Sequence, residues 1–550
     1  MTDRETALSY LSEGYALLRA NGLYGPSDDK HVFAMDRALA NFADAGAAGA
    51  AEAAAAIQAL FEAKMLITAR SSIEGIRIIL GDWFISLSVE LALPLRNPLL
   101  IRMISEELRG MGIDANRPTF KVSKKAFCAT IDRFTNALTD ASKPRGEEGG
   151  TGPATQSGSG VIHSEAEASF VPRVGDFKNK QKNKLLAALG EGHYKASAAE
   201  TRAALAQMEY RFAQKYAAKG ASEMDGWIYG AIMSGGKRLR PMLVSICSRL
   251  GNGADADSVI NIMSTIELMH SASLVHDDIV DRSPLRRSRA TINAEKGDGY
   301  AAMCGFKMIS DALGMIADGC ADNMAKTLAS IPKKMCGGEL RQFEIENKPA
   351  LQSEDEYYRR IECKTAALIE GSCACGAILG GADERVARIL ADYGRSLGIL
   401  FQLRDDLLDY TAADRTNTDR GKDISGKPVS QDMERGIYSL PLLYAKEKLV
   451  AENPAEAKKL DSVLKKHIKS AADFRYLNDI AESSGGLDYA MEAICCYRDK
   501  AVAKLELLPQ GPYTESLAML VEALAATDSE GPSLASIPAD MKIVRLPAYE

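Results

Sequence analysis

Two acidic clusters of identical spacing, Asp277-Asp278-Ile279-Val280-Asp281 and Asp405-Asp406-Leu407-Leu408-Asp409, stand 128 residues apart in the chain. Each places carboxylates at i, i+1 and i+4 after an apolar run that reads as helix, Leu268 to Val275 in the first case and Ile399 to Leu403 in the second. On a helix, positions i and i+4 lie one above the other on the same face. Three anions held that close repel one another unless a cation sits between them. A single cluster of this kind is most often a solvated helix face. Apolar flanks and the repetition of both spacing and setting favour metal binding instead. Two such faces turned toward each other across a helical bundle would hold hard divalent ions and leave coordination positions for phosphate oxygens.

Cations are gathered around these carboxylates in the sequence. Upstream lies Gly235-Gly236-Lys237-Arg238-Leu239-Arg240-Pro241, in which two glycines allow close backbone approach and three cations within four positions suit a diphosphate. Pro284-Leu285-Arg286-Arg287-Ser288-Arg289 follows the first cluster as a second cationic group. Lys364-Thr365 sits in an otherwise apolar helix (Ala366, Ala367, Leu368, Ile369), where a lysine needs a counter-anion. Gln402 precedes Asp405 by about one turn, and Gly426-Lys427-Pro428-Val429 with Asp432 form a loop after the second cluster. Fixed cations beside anionic metal sites make sense where a polyanionic ligand bridges them.

The elements that must position these residues are helical. The chain has 550 residues, 46% of them hydrophobic and only 6% aromatic, so it is long enough for two to four domains with a sizeable core. Abundant Ala, Leu, Met, Glu and Lys favour an all-α protein. A net charge of −7 advertises no nucleic-acid or anionic-membrane surface. The ten cysteines and six histidines show no zinc-ligand spacing, and reduced thiols predict a cytoplasmic protein. No secretory pattern opens the sequence. The longest apolar stretch, Ile76 to Leu95, is interrupted by Arg77, Asp82 and Glu90 and reads as a buried helix, so a soluble protein with no membrane span is expected. Residues 1–140 form a smaller helical N-terminal domain, and residues 141–165, rich in Gly, Pro, Ser and Thr, a flexible linker. Residues 166–528 carry the candidate site, and residues 529–550, with Pro532, Pro538 and Pro547, an extended tail.

Taken together, Gly235 to Pro241, His270 to Arg287 and Phe401 to Pro441 resemble the trans-polyprenyl diphosphate synthases over about 330 residues, from about 198 to 528. The resemblance implies an isoprenoid synthase fold, a helical bundle with a central cavity. There, Mg2+ bridges the two aspartate-rich helices and an allylic diphosphate. It implies that Asp277, Asp281 and Asp405 are direct metal ligands, with Asp278, Asp406 and Asp409 in support. Lys237, Arg240, His270 and Arg287 match positions that hold isopentenyl diphosphate. Arg286, Lys364 and Lys427 match those that hold the allylic diphosphate, with Thr365 and Gln402 beside the reacting carbons. A lone histidine on an apolar helix is usually a core residue, but the place of His270 seven residues before Asp277 reverses that expectation. No protein general base is implied, because in the family the released diphosphate is thought to take the proton. A homodimer is the expected assembly.

Residues four and five positions before Asp277 point along the tunnel that takes the growing product. Here they are Ser273 and Ala272, both small, where short-chain members commonly carry an aromatic floor. A product longer than farnesyl is expected. The chain departs from the family pattern at Gly305-Phe306-Lys307, where Gly-Asp-Tyr is usual, at Ser288 and Ala290, and at Ile437, often a lysine. Gly81-Asp82-Trp83 in the N-terminal domain resembles that Gly-Asp-Tyr helix better, as does a segment of the small partner of two-component synthases. The N-terminal domain is therefore expected to be regulatory or partner-like, the alternative being an unrelated bundle. Two rival functions are a class I terpene cyclase, which needs no second diphosphate site, and a non-catalytic chain-length-regulating subunit, which tends to lose its aspartates.

Overall fold

The computed structural model describes residues 3–20, 39, 50–68, 74–93, 98–114, 131, 195–287, 289–317, 322–413 and 431–525. The expected linker at 141–165, the tail at 529–550, Ser288 and Lys427 lie outside the described residues. Among the described residues the fold is all-α apart from one two-stranded hairpin, β1 (Leu285–Arg286) against β2 (Arg289–Ala290). No described helix is long and apolar enough to cross a membrane.

Among the described residues, the helices of the N-terminal block include α1 (Asp3–Ala20), α2 (Ala50–Thr68), α3 (Glu74–Ala92) and α4 (Pro98–Asp114). The apolar stretch from Ile76 is buried as α3, with Leu80, Trp83, Phe84 and Val89 almost wholly removed from solvent. The second block begins with α5 (Lys195–Tyr216), α6 (Glu223–Met233), α7 (Leu239–Cys247) and α8 (Ala256–Val280). Asp255 caps α8 by accepting from Ser258 N at 2.9 Å. After the hairpin come α9 (Ile292–Lys296), α10 (Asp298–Ala317), α11 (Asp322–Ile345), α12 (Glu354–Ile361), α13 (Ala367–Leu379) and α14 (Glu384–Ala413). Shorter helices from α15 (Gln431–Glu434) to α20 (Pro512–Ala525) close the bundle on the α14 side.

The two blocks share one hydrophobic core. Helix α3 packs on α11 and α8, while α4 packs on α10. At the latter contact Ser105 donates to Ser310 O at 2.8 Å and Ser310 donates to Ser105 O at 2.6 Å.

Between α12 and α13 the helix widens into a π turn, Glu362–Ala366. The residues Lys364 and Thr365, expected within a continuous helix, occupy this turn instead. A π turn carries one extra residue, which redirects side chains and is frequent at functional sites. It fits only because its neighbours are glycine. A Cβ at Gly398 on α14 would lie 2.5 Å from Cα of Ala366, and one at Gly338 on α11 would lie 2.8 Å from N of Lys364. Both helices therefore approach the turn at backbone contact. Overpacking such a contact costs about 1–3 kcal/mol. Gly398→Ala should lower stability by that amount in urea unfolding, and an unchanged midpoint would contradict the close packing.

Candidate active site

The first cluster ends α8. Asp277 and Asp278 lie in its last turn, and Asp281 is its C-cap, whose N–H donates to Asp277 O at 2.8 Å and so keeps it on the same face. Each carboxylate has its own surroundings. Asp278 accepts from Arg286 Nε on the hairpin at 2.7 Å. Asp281 accepts from Arg435 at 2.6 Å, and Arg435 also pairs with Glu346, just past the end of α11. Asp277 faces the negative field of Glu339 on α11, offset in part by Lys364. Burial first, then the charge of Glu339, raises its pKa to about 6.

The second cluster lies on α14. Asp405 is exposed, Asp409 half-buried and Asp406 buried. Asp406 accepts from Tyr357 and from Gln402, both at 2.7 Å, and Thr365 donates to Gln402 Oε1 at 2.7 Å. The π turn is thus tied to the second cluster through a continuous hydrogen-bond relay. Burial first, then the charge of Asp432, raises Asp406 to about 7. A small recess opens here, lined by Asp406, Asp409, Tyr410, Asp432, Met433 and Ser439.

A chain of polar contacts runs from Glu339, whose field acts on Asp277, to Asp432, whose field acts on Asp406. Lys364 Nζ lies 2.5 Å from Glu339 and donates to Gln342 Oε1 at 3.1 Å. The same Gln342 oxygen accepts from Arg360 at 3.3 Å, and Arg360 lies 3.9 Å from Asp432. The counter-anion expected for Lys364 is therefore Glu339.

The cationic side is built on strained backbone. Gly235 and Gly236 have φ of 118° and 126°, and Arg238 and Arg287 have φ of 51°. Arg287 donates to the carbonyl of Gly235, joining the hairpin to the glycine turn. Lys237 Nζ sits 5.2 Å from the centre of the Phe401 ring on α14. Arg240 lies 3.3 Å from His270 Nε2. Burial first, then the fields of Arg240, Arg287 and Arg286, hold His270 well below the ordinary histidine range. Its ring is neutral, so Nε2 can accept from Arg240. Of the three cations expected to serve a diphosphate, Arg238 turns the other way. Buried at 6% exposure, it pairs with Glu267 and with Glu209 at 3.2 Å and donates to Ile232 O, anchoring the turn.

Among the described residues, several guanidinium donors here are buried without a hydrogen-bond partner: Arg240 Nε, Arg286 Nη2, and Nε and Nη2 of Arg360. Buried donors are rarely left unpaired, and their placement suits an anion with many oxygens. Among the described residues no three acidic, histidine or cysteine side chains are gathered closely enough to cage an ion. Ions that bind through one or two carboxylates and complete their shell with substrate oxygens need no such cage. Carboxylate oxygen donors also fit a hard divalent ion.

Sequence reasoning missed Glu339, Gln342, Tyr357, Arg360 and Arg435. Arg435 stands two residues before Ile437, the position where lysine was expected. Ile437 itself is fully buried in the core. Single polar residues give no local pattern, so only the packing of α11, α12 and the turn after α15 identifies this group. Phe306, where an acidic residue was expected, is buried and packs on the His276 ring at a centroid distance of 4.7 Å.

Raised carboxyl pKa values mean that the folded chain binds more protons than the unfolded one between the two pKa values. The penalty is absent below about pH 4 and grows as pH rises through 6 and 7. Metal-free protein should therefore lose thermal stability across pH 5 to 8, and Asp406→Asn should flatten that slope. A melting temperature that rises over this range would contradict the arrangement.

A polyprenyl synthetase family profile matches residues 224–481. The octaprenyl diphosphate synthase of Haemophilus influenzae is 35% identical over 289 residues, which is 52% of this chain and 84% of that protein. Heptaprenyl diphosphate synthase component 2 of Bacillus subtilis is 34% identical, over 53% of this chain and 79% of its own. The crystal structure of a polyprenyl synthase from Caulobacter crescentus, complexed with calcium and isoprenyl diphosphate, superposes with a TM-score of 0.54 at 28% identity, covering 62% of this chain and 97% of that one. The family works with divalent metal. With this likeness over most of its relatives' length, and an all-α bundle to match, the chain belongs to the polyprenyl synthetase family and is a polyprenyl diphosphate synthase, a prenyltransferase.

Proposed function

We propose that the chain condenses isopentenyl diphosphate with an allylic diphosphate, assisted by Mg2+, and extends the product beyond farnesyl length. The observation that carries this reading is the division of buried charge. Carboxylates with raised pKa values lie on α8 and α14, and guanidinium donors without partners lie beside them. Asp277, Asp278, Asp281, Asp405, Asp406 and Asp409 would hold the ions. Bound there, Mg2+ would neutralise charge on the leaving diphosphate and so favour ionisation of the allylic C–O bond.

The chain's own residues do the rest. Lys237, Arg240 and Arg287 grip isopentenyl diphosphate, with neutral His270 orienting Arg240. Arg286 and Lys364 hold the allylic diphosphate, and Lys364 is kept charged by Glu339. The Thr365 hydroxyl and Gln402 amide present dipoles toward the developing cation. Their orientation is fixed by the relay to Asp406. A second diphosphate site favours chain elongation over cyclisation, and complete aspartate clusters favour a catalytic role over a regulatory one. Residues 1–140 act as a fused, partner-like domain.

Ala272 is fully buried on α8, and Ser273 is half-buried with its hydroxyl turned back to His270 O at 2.9 Å. Both are small where an aromatic side chain would form a floor. The two curated relatives named above make long products, which supports the same reading.

Incubating the full chain with isopentenyl diphosphate, an allylic primer and Mg2+, then sizing the products, tests the function. Linear products longer than farnesyl are expected. Cyclised product from primer alone would favour a terpene cyclase, and no turnover a regulatory subunit. Ala272→Phe should shorten the product, and an unchanged length profile would sink its assignment to the tunnel.

A further inference from the structure

Helix α3 is strongly apolar, yet it carries Asp82, Ser86 and Glu90 at i, i+4 and i+8, on one face. All three meet the catalytic block. Asp82 Oδ2 lies 2.6 Å from His276 Nδ1. The Ser86 hydroxyl donates to Ala329 O and accepts from Lys333 N at 3.2 Å. Glu90 accepts from Lys333 Nζ at 3.4 Å. Such a stripe is costly to bury unless its groups are matched, and among the described residues Asp82 Oδ1 is left buried without a hydrogen-bond partner.

The contacts fall at two sensitive places. Ala329 O and Lys333 N are four residues apart, the two ends of one helical hydrogen bond on α11. Pro332 lies inside that helix and lacks the N–H that would bond Leu328 O, and the Ser86 hydroxyl meets the neighbouring Ala329–Lys333 rung. Glu339 and Gln342 follow two to three turns later and reach Lys364. His276 immediately precedes Asp277 and Asp278. Its ring is held from the far side by Ala302 O, 3.2 Å from Nε2, and Gly305 leaves no room there for a Cβ. Both ring nitrogens face oxygen acceptors, so the imidazole has one orientation. The carboxylate that fixes it comes from the N-terminal block, since Phe306 offers none.

We propose that α3 is a built-in positioning element of the metal–diphosphate site, in which Asp82, acting through His276, fixes the turn that carries Asp277 and Asp278. Ser86 does the same for the helix that carries Glu339 and Gln342. A helix outside the catalytic bundle thereby sets the order of both walls around Lys364. The proposal rests on the metal-site reading given above.

The test uses full-length wild type, Asp82→Ala and Asp82→Asn. Melting temperature is followed against Mg2+ concentration with inorganic diphosphate present, alongside kcat and KM for isopentenyl diphosphate. Losing a group that orients a metal ligand typically costs about tenfold or more in metal affinity. Asp82→Ala should need about tenfold more Mg2+ for its half-maximal shift and lose kcat. KM for isopentenyl diphosphate, bound on the Arg240 side, should stay constant. Asp82→Asn keeps an acceptor for His276 but loses the charge, and should recover only part of the affinity, leaving the midpoint about threefold above wild type. If Asp82→Ala does not fold, Asp82→Asn decides: a midpoint raised about threefold supports the proposal and an unchanged one overturns it. A wild-type midpoint in folded Asp82→Ala overturns it, as does a rise in KM matching the fall in kcat. A wild-type chain showing no Mg2+-dependent shift overturns the underlying site reading and this proposal with it.

Discussion

Like charges buried side by side set the terms for this structure. Asp277 lies in the field of Glu339 and Asp281, and Asp406 in that of Asp432, each out of reach of full hydration. On the other side of the site Arg240, Arg286 and Arg287 repel one another. A chain in this condition is stable only because internal partners take up part of the imbalance: Lys364 for Glu339, Arg435 for Asp281 and Glu346, Arg286 for Asp278. What remains is a deficit of cations beside the carboxylates and a deficit of anions beside the guanidiniums. A divalent ion bound to a diphosphate would satisfy both at once. The fold serves to keep these groups from collapsing onto each other.

Backbone geometry does much of that work. The π turn at Glu362–Ala366 presents Lys364 and Thr365 to different partners, and Gly338 and Gly398 let α11 and α14 lie directly against it. Arg287 closes the glycine turn by donating to Gly235. Arg238, spent on Glu209 and Glu267, holds that turn from behind. Residues that contact no ligand are thus as necessary to the site as those that would.

Much of this was legible in the sequence because the acidic clusters repeat a spacing and a setting. The carboxylates, the glycine turn and the arginine hairpin each have local patterns that charge and periodicity reveal. The partners of these groups do not. Glu339, Gln342 and Arg360 are single polar residues on helices that read as ordinary amphipathic elements, Arg435 lies in the turn after α15, and only tertiary packing brings them to Lys364 and Asp281. Arg238 looked like a third phosphate ligand because spacing alone cannot tell which way a side chain turns from a left-handed backbone position. The polar stripe of α3 was visible only as interruptions in an apolar run. Its meaning came from the helices on which it lands.

On this reading the site is electrostatically incomplete on both sides, and metal and diphosphate together would complete it. Calorimetric titration of the full chain with inorganic diphosphate, in the presence and absence of Mg2+, tests it most directly. The account predicts strong mutual dependence, with diphosphate binding weakly alone and far more tightly once Mg2+ is present. Equal affinity with and without the metal would contradict it.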